Sequence, residues 1–282
     1  MKCLDIIELE KKIEVLDIGA AAIAESPVYK KLIEIGLSNL NAFEGDQRHL
    51  DKLKKEYGDN IKLFTEFLFD GSTQNLYLAS PESGMTSLLK PNDKALNFFN
   101  GFNKFGKIEK IESVKTEKLD DIKDLPLIDF AKMDIQGSEL EVLKNGLNKL
   151  KHCLAIQLEV SFVCLYENQP SLGEIDLWMR RNGYIPHCFL DIKRWSITPT
   201  IFNNNFRNPG NQLLESDIVY IRDPFNLELL NNEQLKKLII ISHYCFKSVD
   251  FCVFIILELE KRNILPKDSF KTYISNIKKF TQ

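Results

Sequence analysis

The chain has 282 residues, 44% of them hydrophobic and 10% aromatic. That is enough apolar mass for a substantial core, in one large or two modest domains, and it excludes disorder as the dominant state. Thirty-seven basic against 40 acidic side chains leave a formal charge of −3, a balance that argues against a general nucleic-acid coat.

Six cysteines stand at 3, 153, 164, 188, 245 and 252, none in a CxxC pair, and four histidines are scattered. No structural zinc site is expected, and the thiols read as small core hydrophobes of a reducing compartment. The N-terminal stretch carries acids where a signal peptide would need an apolar region. The longest apolar run, 251–257 (FCVFIIL), is far shorter than the roughly 18 residues that span a bilayer. A cytoplasmic protein without a membrane span is expected.

Short continuous apolar runs are the mark of strands buried on both faces. They occur at 13–18, ending at Gly19, then at 40–43, 61–64, 127–133, 153–160 and 217–222. Helix signals lie between them. Ser26-Pro27 reads as an N-cap before a first-turn proline, with Gly36 at the far end. Asp46 is placed to cap a helix whose Leu50, Leu53 and Tyr57 share a face, stopped at Gly58. Ser138 with Glu141, and Ser171 with Glu174, have capping-box spacing. The second pair precedes Ile175, Trp178 and Met179, with Gly183 at the end.

Strands and helices alternating in this way predict βαβ units: an α/β fold with a Rossmann-like, doubly wound, mostly parallel sheet. Residues 71–121 break the rhythm with a strand at 74–78, a Pro/Ser/Gly loop at 80–84, the aromatics Phe98, Phe99, Phe102 and Phe105, and an alternating run at 108–119. They read as an insertion. Beyond Pro224 the pattern is helical, with Leu235, Leu238, Ile239, Phe254, Ile255 and Leu259 forming an apolar stripe. The expected division is therefore 1–225 and a helical extension, 226–282, packed on it.

In an open α/β sheet, ligands bind at the carboxyl ends of the strands. Four of the first five predicted ends carry an acid at or next to the terminus: Asp17, Glu44, Asp134 and Glu159. Each has a plainer alternative. Asp17 and Asp134 are placed to cap helices, Glu44 to sit in solvent and Glu159 to be ion-paired. Lys132 reads as a surface cation, and His187 as a candidate base on chemistry alone, though more simply structural.

The order strand–DxG–helix–strand–FE–helix–strand, then strand–KxDxxG–helix, resembles the FkbM-type methyltransferase family. The matching phrases are VLDIGA (15–20), AFEGD (42–46), SGMTSLL (83–89), KLDDI (118–122), DFAKMDIQGSELEVLKNG (129–146), LEVSFVCLYENQP (158–170) and QLLESDIVYIRDP (212–224). Of these the phrase around Lys132–Gly146 is the most specific, and the resemblance covers about 13–225. There are two departures. The family's DxGANxG turn is Asp17 to Ile23 (DIGAAAI) here, one glycine short and completed by Glu25 to Tyr29. Gln136 stands where many relatives have an acid, so no metal is expected.

The resemblance implies a class I methyltransferase dependent on S-adenosylmethionine. Glu44, with Gly45, would meet the ribose, Asp17 the ammonium and Gly19-Ala20 the methionine portion. Glu66 and Phe67 would flank the adenine, with Asp70 the alternative acid. Asp134 is then the candidate base or acceptor-orienting group, Glu159 the next, and Met85, Thr86 and Ser87 the acceptor side. The implied reaction is methyl transfer to a hydroxyl of a small molecule such as a sugar or glycan. Two other classes stay open: a catalytically inactive Rossmann-like binding module, and a nicotinamide-dependent oxidoreductase. The latter wants a fuller GxGxxG turn than 17–23 supplies. Oligomeric state is not legible.

Overall fold

The computed structural model of the chain describes residues 6–20 and 26–278. Strands β1 (Ile13–Ile18), β2 (Ser38–Phe43) and β3 (Ile61–Phe64) alternate with helices α1 (Lys30–Glu34) and α2 (Gln47–Tyr57). Next come β4 (Phe67–Leu68), β5 (Thr73–Leu78), α3 (Asp93–Phe98), α4 (Phe102–Phe105) and β6 (Lys110–Glu117). The chain then re-enters the main layer through β7 (Phe130–Met133), α5 (Glu139–Lys144), α6 (Leu147–Leu150), β8 (Ala155–Ser161) and α7 (Leu172–Arg181). A long hairpin, β9 (Tyr184–Trp195) and β10 (Gln212–Arg222), precedes α8 (Asn232–Tyr244), α9 (Val249–Lys261) and α10 (Ser269–Lys278).

Seven strands form one sheet in the order β3-β2-β1-β7-β8-β10-β9. The first five are parallel, and β10 runs antiparallel to both β8 and β9. Strand alternation sends Ile13, Val15, Phe130 and Val219 to one face, where they pack with Tyr29 and Leu32 and with Leu235, Leu238, Ile239, Ile255 and Leu259 of the terminal helices. Leu16, Ile18, Ala131 and Met133 face the other way, toward Leu140, Leu143, Ile175 and Met179. This is the doubly wound, mostly parallel α/β architecture expected from the runs of apolar residues. The intervening residues build a second sheet, β4-β6-β5, beneath which Met85, Leu96, Phe99 and Phe102 pack with Tyr166 and Leu214.

Several local expectations are corrected. Ser26 caps no helix, because α1 begins only at Lys30, after Tyr29, and has no side-chain cap. Ser138 makes no capping hydrogen bond either, and its hydroxyl is buried without a partner among the described residues. By contrast Asp46 accepts from the Arg48 amide, and Ser171 and Glu174 form a complete capping box. The apolar run at 127–133 becomes a strand only from Phe130, since Leu127 is 47% exposed. Strand β10 starts five residues before the expected Asp217. Phe254 turns out of its expected stripe, to 47% exposure. Strand β9 was not anticipated, because its pattern is half-buried and polar rather than continuously apolar. Residues 21–25 of the expected glycine turn, and Cys3, lie outside the described residues.

One polar contact ties the terminal helices to the sheet. The Lys237 ammonium of α8 is 2.6 Å from Asp129 Oδ2, just before β7, and the Glu14 amide donates to the same oxygen at 2.8 Å. Both side chains are largely buried. Burial pushes the Asp129 carboxyl up, against the pull of that amide and of Lys237. Lys237→Ala leaves the carboxylate buried without its cation and is expected to cost about 3–5 kcal/mol, read from the shift in urea midpoint at pH 7. A loss below about 1 kcal/mol would mean that the pair is solvated in solution.

Candidate functional site

Strands β1, β2, β3, β7 and β8 point the same way, so their carboxyl ends share one edge of the sheet. A cavity of about 920 Å³ opens along that edge, at the upper end of the range for ligand sites. It is lined by all twelve residues singled out from the sequence: Asp17, Gly19, Ala20, Glu44, Gly45, Glu66, Phe67, Met85, Thr86, Ser87, Asp134 and Glu159. Asp70 is not among its walls; it accepts hydrogen bonds from the amide and hydroxyl of Ser72. His187 is likewise elsewhere, 2.6 Å from Ser248 Oγ.

The register explains how these groups meet. Asp17 of β1 stands opposite Lys132 of β7, and Lys132 opposite Gln157 of β8. Alternation then puts all three side chains on the face covered by the terminal helices. Asp17 is 2% exposed. One of its oxygens accepts from the Tyr29 hydroxyl. The other, Oδ1, has no hydrogen-bond partner among the described residues, with the Lys132 ammonium 3.6 Å away. Burial holds the Asp17 carboxyl above its ordinary range, against Lys132 and the Tyr29 hydrogen bond.

Lys132 is the main correction to the site. It is no surface cation: its side chain is 15% exposed, and its ammonium lies 3.6 Å from Asp17 and 3.7 Å from Asp134. Burial works against its charge, but Asp17, Asp134, Asp217 and Glu159 together outweigh burial and raise its pKa. A lysine inside an apolar run was the available signal.

Asp134 follows β7 directly. Burial would raise its carboxyl, yet Lys132, Gln136 and a hydrogen bond from Glu159 bring it below its ordinary value. Glu159 goes the other way, pushed well up by burial and by Asp134 and Glu215. The two adjacent carboxyl groups are thus pushed in opposite directions, Asp134 down and Glu159 up, as like charges in one site are. Gln136, held at φ 56°, joins them: its amide donates to Asp134 Oδ1 at 3.1 Å and to Glu159 Oε2 at 2.7 Å. Its side-chain oxygen accepts from Tyr166 at 2.8 Å. The Gln136 amide is therefore the clasp of the pair, a role that position alone did not reveal.

At the other end of the edge, Glu44 is 8% exposed and its Oε1 accepts from the Asp46 amide at 2.8 Å. A Cβ on Gly45 would sit 2.5 Å from the Phe67 ring, so the ring lies flush against that glycine. Glu66 is exposed on the rim. Of the expected acceptor-side residues, Ser87 donates to the Gln136 carbonyl at 2.8 Å, Thr86 accepts from the Ala79 amide at 3.2 Å, and the Met85 carbonyl accepts from Tyr166. These three form a wall: Ser87 and Met85 tie the insertion to the segments after β7 and β8, and Thr86 braces the insertion itself. Among the described residues, no group of three or more His, Cys, Asp and Glu is arranged to hold a metal ion, and no helix is long and apolar enough to cross a membrane.

The loop between Asp134 and α5 is fastened by a residue the sequence reading passed over. Glu139 Oε1 accepts from the amides of Ile135 at 2.9 Å and Gly137 at 3.2 Å. Burial lifts its carboxyl from 4.5 to about 7, in spite of those amides. The folded protein therefore keeps a proton that the unfolded chain loses, so this stabilisation is complete below about pH 4.5 and is lost as pH rises through about 7. Its size is on the order of 3 kcal/mol. Glu139→Gln keeps the acceptor oxygen without the charge. Urea midpoints at about pH 5 and pH 8 should show that the variant has lost this fall; an unchanged fall would place the titration elsewhere.

With the geometry established, the chain can be compared with known proteins. The family model described as the methyltransferase FkbM domain matches residues 8–186. Comparison with curated proteins finds no match. Similar solved structures include a putative methyltransferase from Thermoplasma acidophilum, at 11% identity over 77% of this chain and 70% of that one, with a TM-score of 0.38. Another is magnesium protoporphyrin IX methyltransferase from Synechocystis PCC 6803 with bound SAM, at 10% identity over 76% and 71%, TM-score 0.39. A third is precorrin-6y C5,15-methyltransferase from Geobacter metallireducens, at 15% identity over 78% and 86%, TM-score 0.34. Likenesses this distant add nothing to the family match.

Proposed function

The chain belongs to the FkbM methyltransferase family, and from that premise we propose that it moves a methyl group from S-adenosylmethionine to a hydroxyl oxygen of a small molecule, a sugar or glycan being the favoured acceptor. One observation carries this reading: Asp17, Glu44 and Asp134, far apart in sequence, line a single cavity at the strand ends. A ligand with a cationic sulfonium, an ammonium and a ribose diol suits acids rather than a phosphate-cradling loop. The residues fit it: a buried Asp17 oxygen lacks a hydrogen-bond partner among the described residues, and the buried Glu44 ends β2, where this fold places an acid for ribose hydroxyls.

In this reading Asp17 takes the ammonium, Glu44 the ribose hydroxyls, and Gly45 with Phe67 the adenine, Glu66 lying at its edge. Gly19 and Ala20 supply backbone beside the methionine portion. The donor, when bound, supplies a methyl group already activated by a positively charged sulfur. The protein then has to place a nucleophile in line, exclude water and handle one proton. Asp134, steadied by Lys132, would accept a hydrogen bond from the incoming hydroxyl and take up its proton. Glu159, whose carboxyl burial and Asp134 push up, would limit the negative charge of the pair. Met85, Thr86 and Ser87 hold the wall that closes the acceptor side.

The reading is tested by incubating the protein with S-adenosylmethionine and a panel of hydroxylated sugars and glycans, and following S-adenosylhomocysteine. Acceptor-dependent release is expected. Donor binding without transfer to any acceptor would favour a binding module, and oxidation of NADH a dehydrogenase.

A further inference from the structure

The acceptor side of the cavity has a feature that neither the family match nor the acidic strand ends account for. Two rings of α4, Phe102 and Phe105, and the indole of Trp195 at the end of β9 line it together. Phe102 meets Trp195 edge-on at 5.2 Å and Phe105 edge-on at 5.8 Å. The cluster is held still: the Trp195 indole N–H donates to the Asn100 carbonyl at 2.8 Å, and the buried Asn100 amide in turn donates to Ser196 Oγ at 2.9 Å. Over this wall stands Arg207, also lining the cavity. Its guanidinium lies 5.8 Å from the ring centres of both Phe105 and Phe206.

Arg207 differs from the buried Lys132 and the half-exposed Lys193, two other cations of the cavity. Lys132 is bracketed by Asp17 and Asp134, and Lys193 lies 2.8 Å from Glu215 and 4.0 Å from Glu159. The Arg207 guanidinium has neither an acidic partner nor a side-chain hydrogen bond among the described residues. The exposed guanidinium, in cation–π range of two rings, leaves its N–H groups to a ligand, and a planar fork matches a carboxylate in bidentate fashion.

We propose that this wall binds the ring of an acceptor that carries both a hydroxyl and a carboxylate, the chemistry of a sugar acid, with Arg207 pairing the carboxylate. The proposal rests on the methyl-transfer reading and narrows its acceptor. The ring lies on the aromatic surface, and the negative group is steered away from the acidic edge. An acceptor with charge at one end therefore has a single favourable orientation, with its hydroxyl toward Asp134. The acids of the strand ends repel the carboxylate from the donor side, so Arg207 sets direction as well as affinity.

A matched pair of probes tests it. Nitrophenyl glucuronide and nitrophenyl glucoside differ only in a carboxylate against a hydroxymethyl group. Each is titrated by calorimetry into protein saturated with S-adenosylhomocysteine. The glucuronide is expected to bind about tenfold more tightly. Arg207→Gln should abolish that preference by weakening the glucuronide alone, and Arg207→Lys should restore part of it. Raising the salt should shrink the difference in the native protein. Equal binding of the two probes, a preference that survives Arg207→Gln, or binding of neither would overturn the proposal. S-adenosylmethionine titrated into the ligand-free native protein reports separately: its failure to bind would overturn the methyl-transfer reading itself.

Discussion

Asp134→Asn should slow methyl transfer by about 10²- to 10⁴-fold, the range for loss of a positioned proton acceptor. The geometry leaves the fold little reason to suffer, because asparagine can still receive from the Gln136 amide that now lies 3.1 Å from Oδ1. What is lost is the negative charge beside Lys132 and the place for the acceptor's proton. Donor affinity should change little, so the effect should appear in kcat rather than in donor KM. Glu159→Gln makes the useful contrast. Since burial and Asp134 push the Glu159 carboxyl toward its neutral form, glutamine keeps a similar shape and polarity, and the rate should stay within about tenfold of the native protein. Initial rates of S-adenosylhomocysteine formation for the two variants decide between the carboxyl groups. A silent Asp134→Asn with a crippled Glu159→Gln would reverse their roles.

The second large effect is expected from Gly19→Ala. Gly19 lies at φ +79°, and a Cβ there would sit 2.0 Å from the Asp134 carbonyl oxygen. Two costs therefore add: the left-handed backbone, about 1–2 kcal/mol, and a contact relieved only by parting the turns after β1 and β7. A loss of about 3 kcal/mol or more is expected, together with loss of donor binding, because the displaced turn after β1 follows Asp17 and carries Gly19 and Ala20. Gly36→Ala is the control. It has nearly the same φ, +74°, but nothing within 4 Å of the added carbon, so it should cost only the first amount. Urea melts of both variants measure the difference, and equal losses would mean that the close approach at Gly19 relaxes freely in solution.

The sheet was readable because its central parallel strands are buried on both faces and are largely apolar, as in IEVLDI and AIQLEV. The hairpin strand β9 did not, since only one of its twelve residues is fully buried. Caps were legible where a side chain had a free amide to bind, as at Asp46 and Ser171, and misleading at Ser138, whose own carbonyl takes the Glu141 and Val142 amides. The acids of the site could be found by asking what ends each strand. Their charge states could not, because Lys132, Gln136 and Tyr166 act on them across strands, through a register that spacing along one chain does not encode. The unpaired Arg207 was equally hidden: its isolation from acids is a property of the folded surface.

The acidic edge as a grip for a cationic donor is tested most directly by calorimetry on the native protein and on Glu44→Gln. S-adenosylmethionine should bind the native protein and NADH should not, and Glu44→Gln should weaken the donor at least about tenfold, as removal of a charged hydrogen-bond acceptor from a buried site does. If the native protein binds NADH instead, or if S-adenosylmethionine binds native and variant alike, the strand-end acids do not hold the donor.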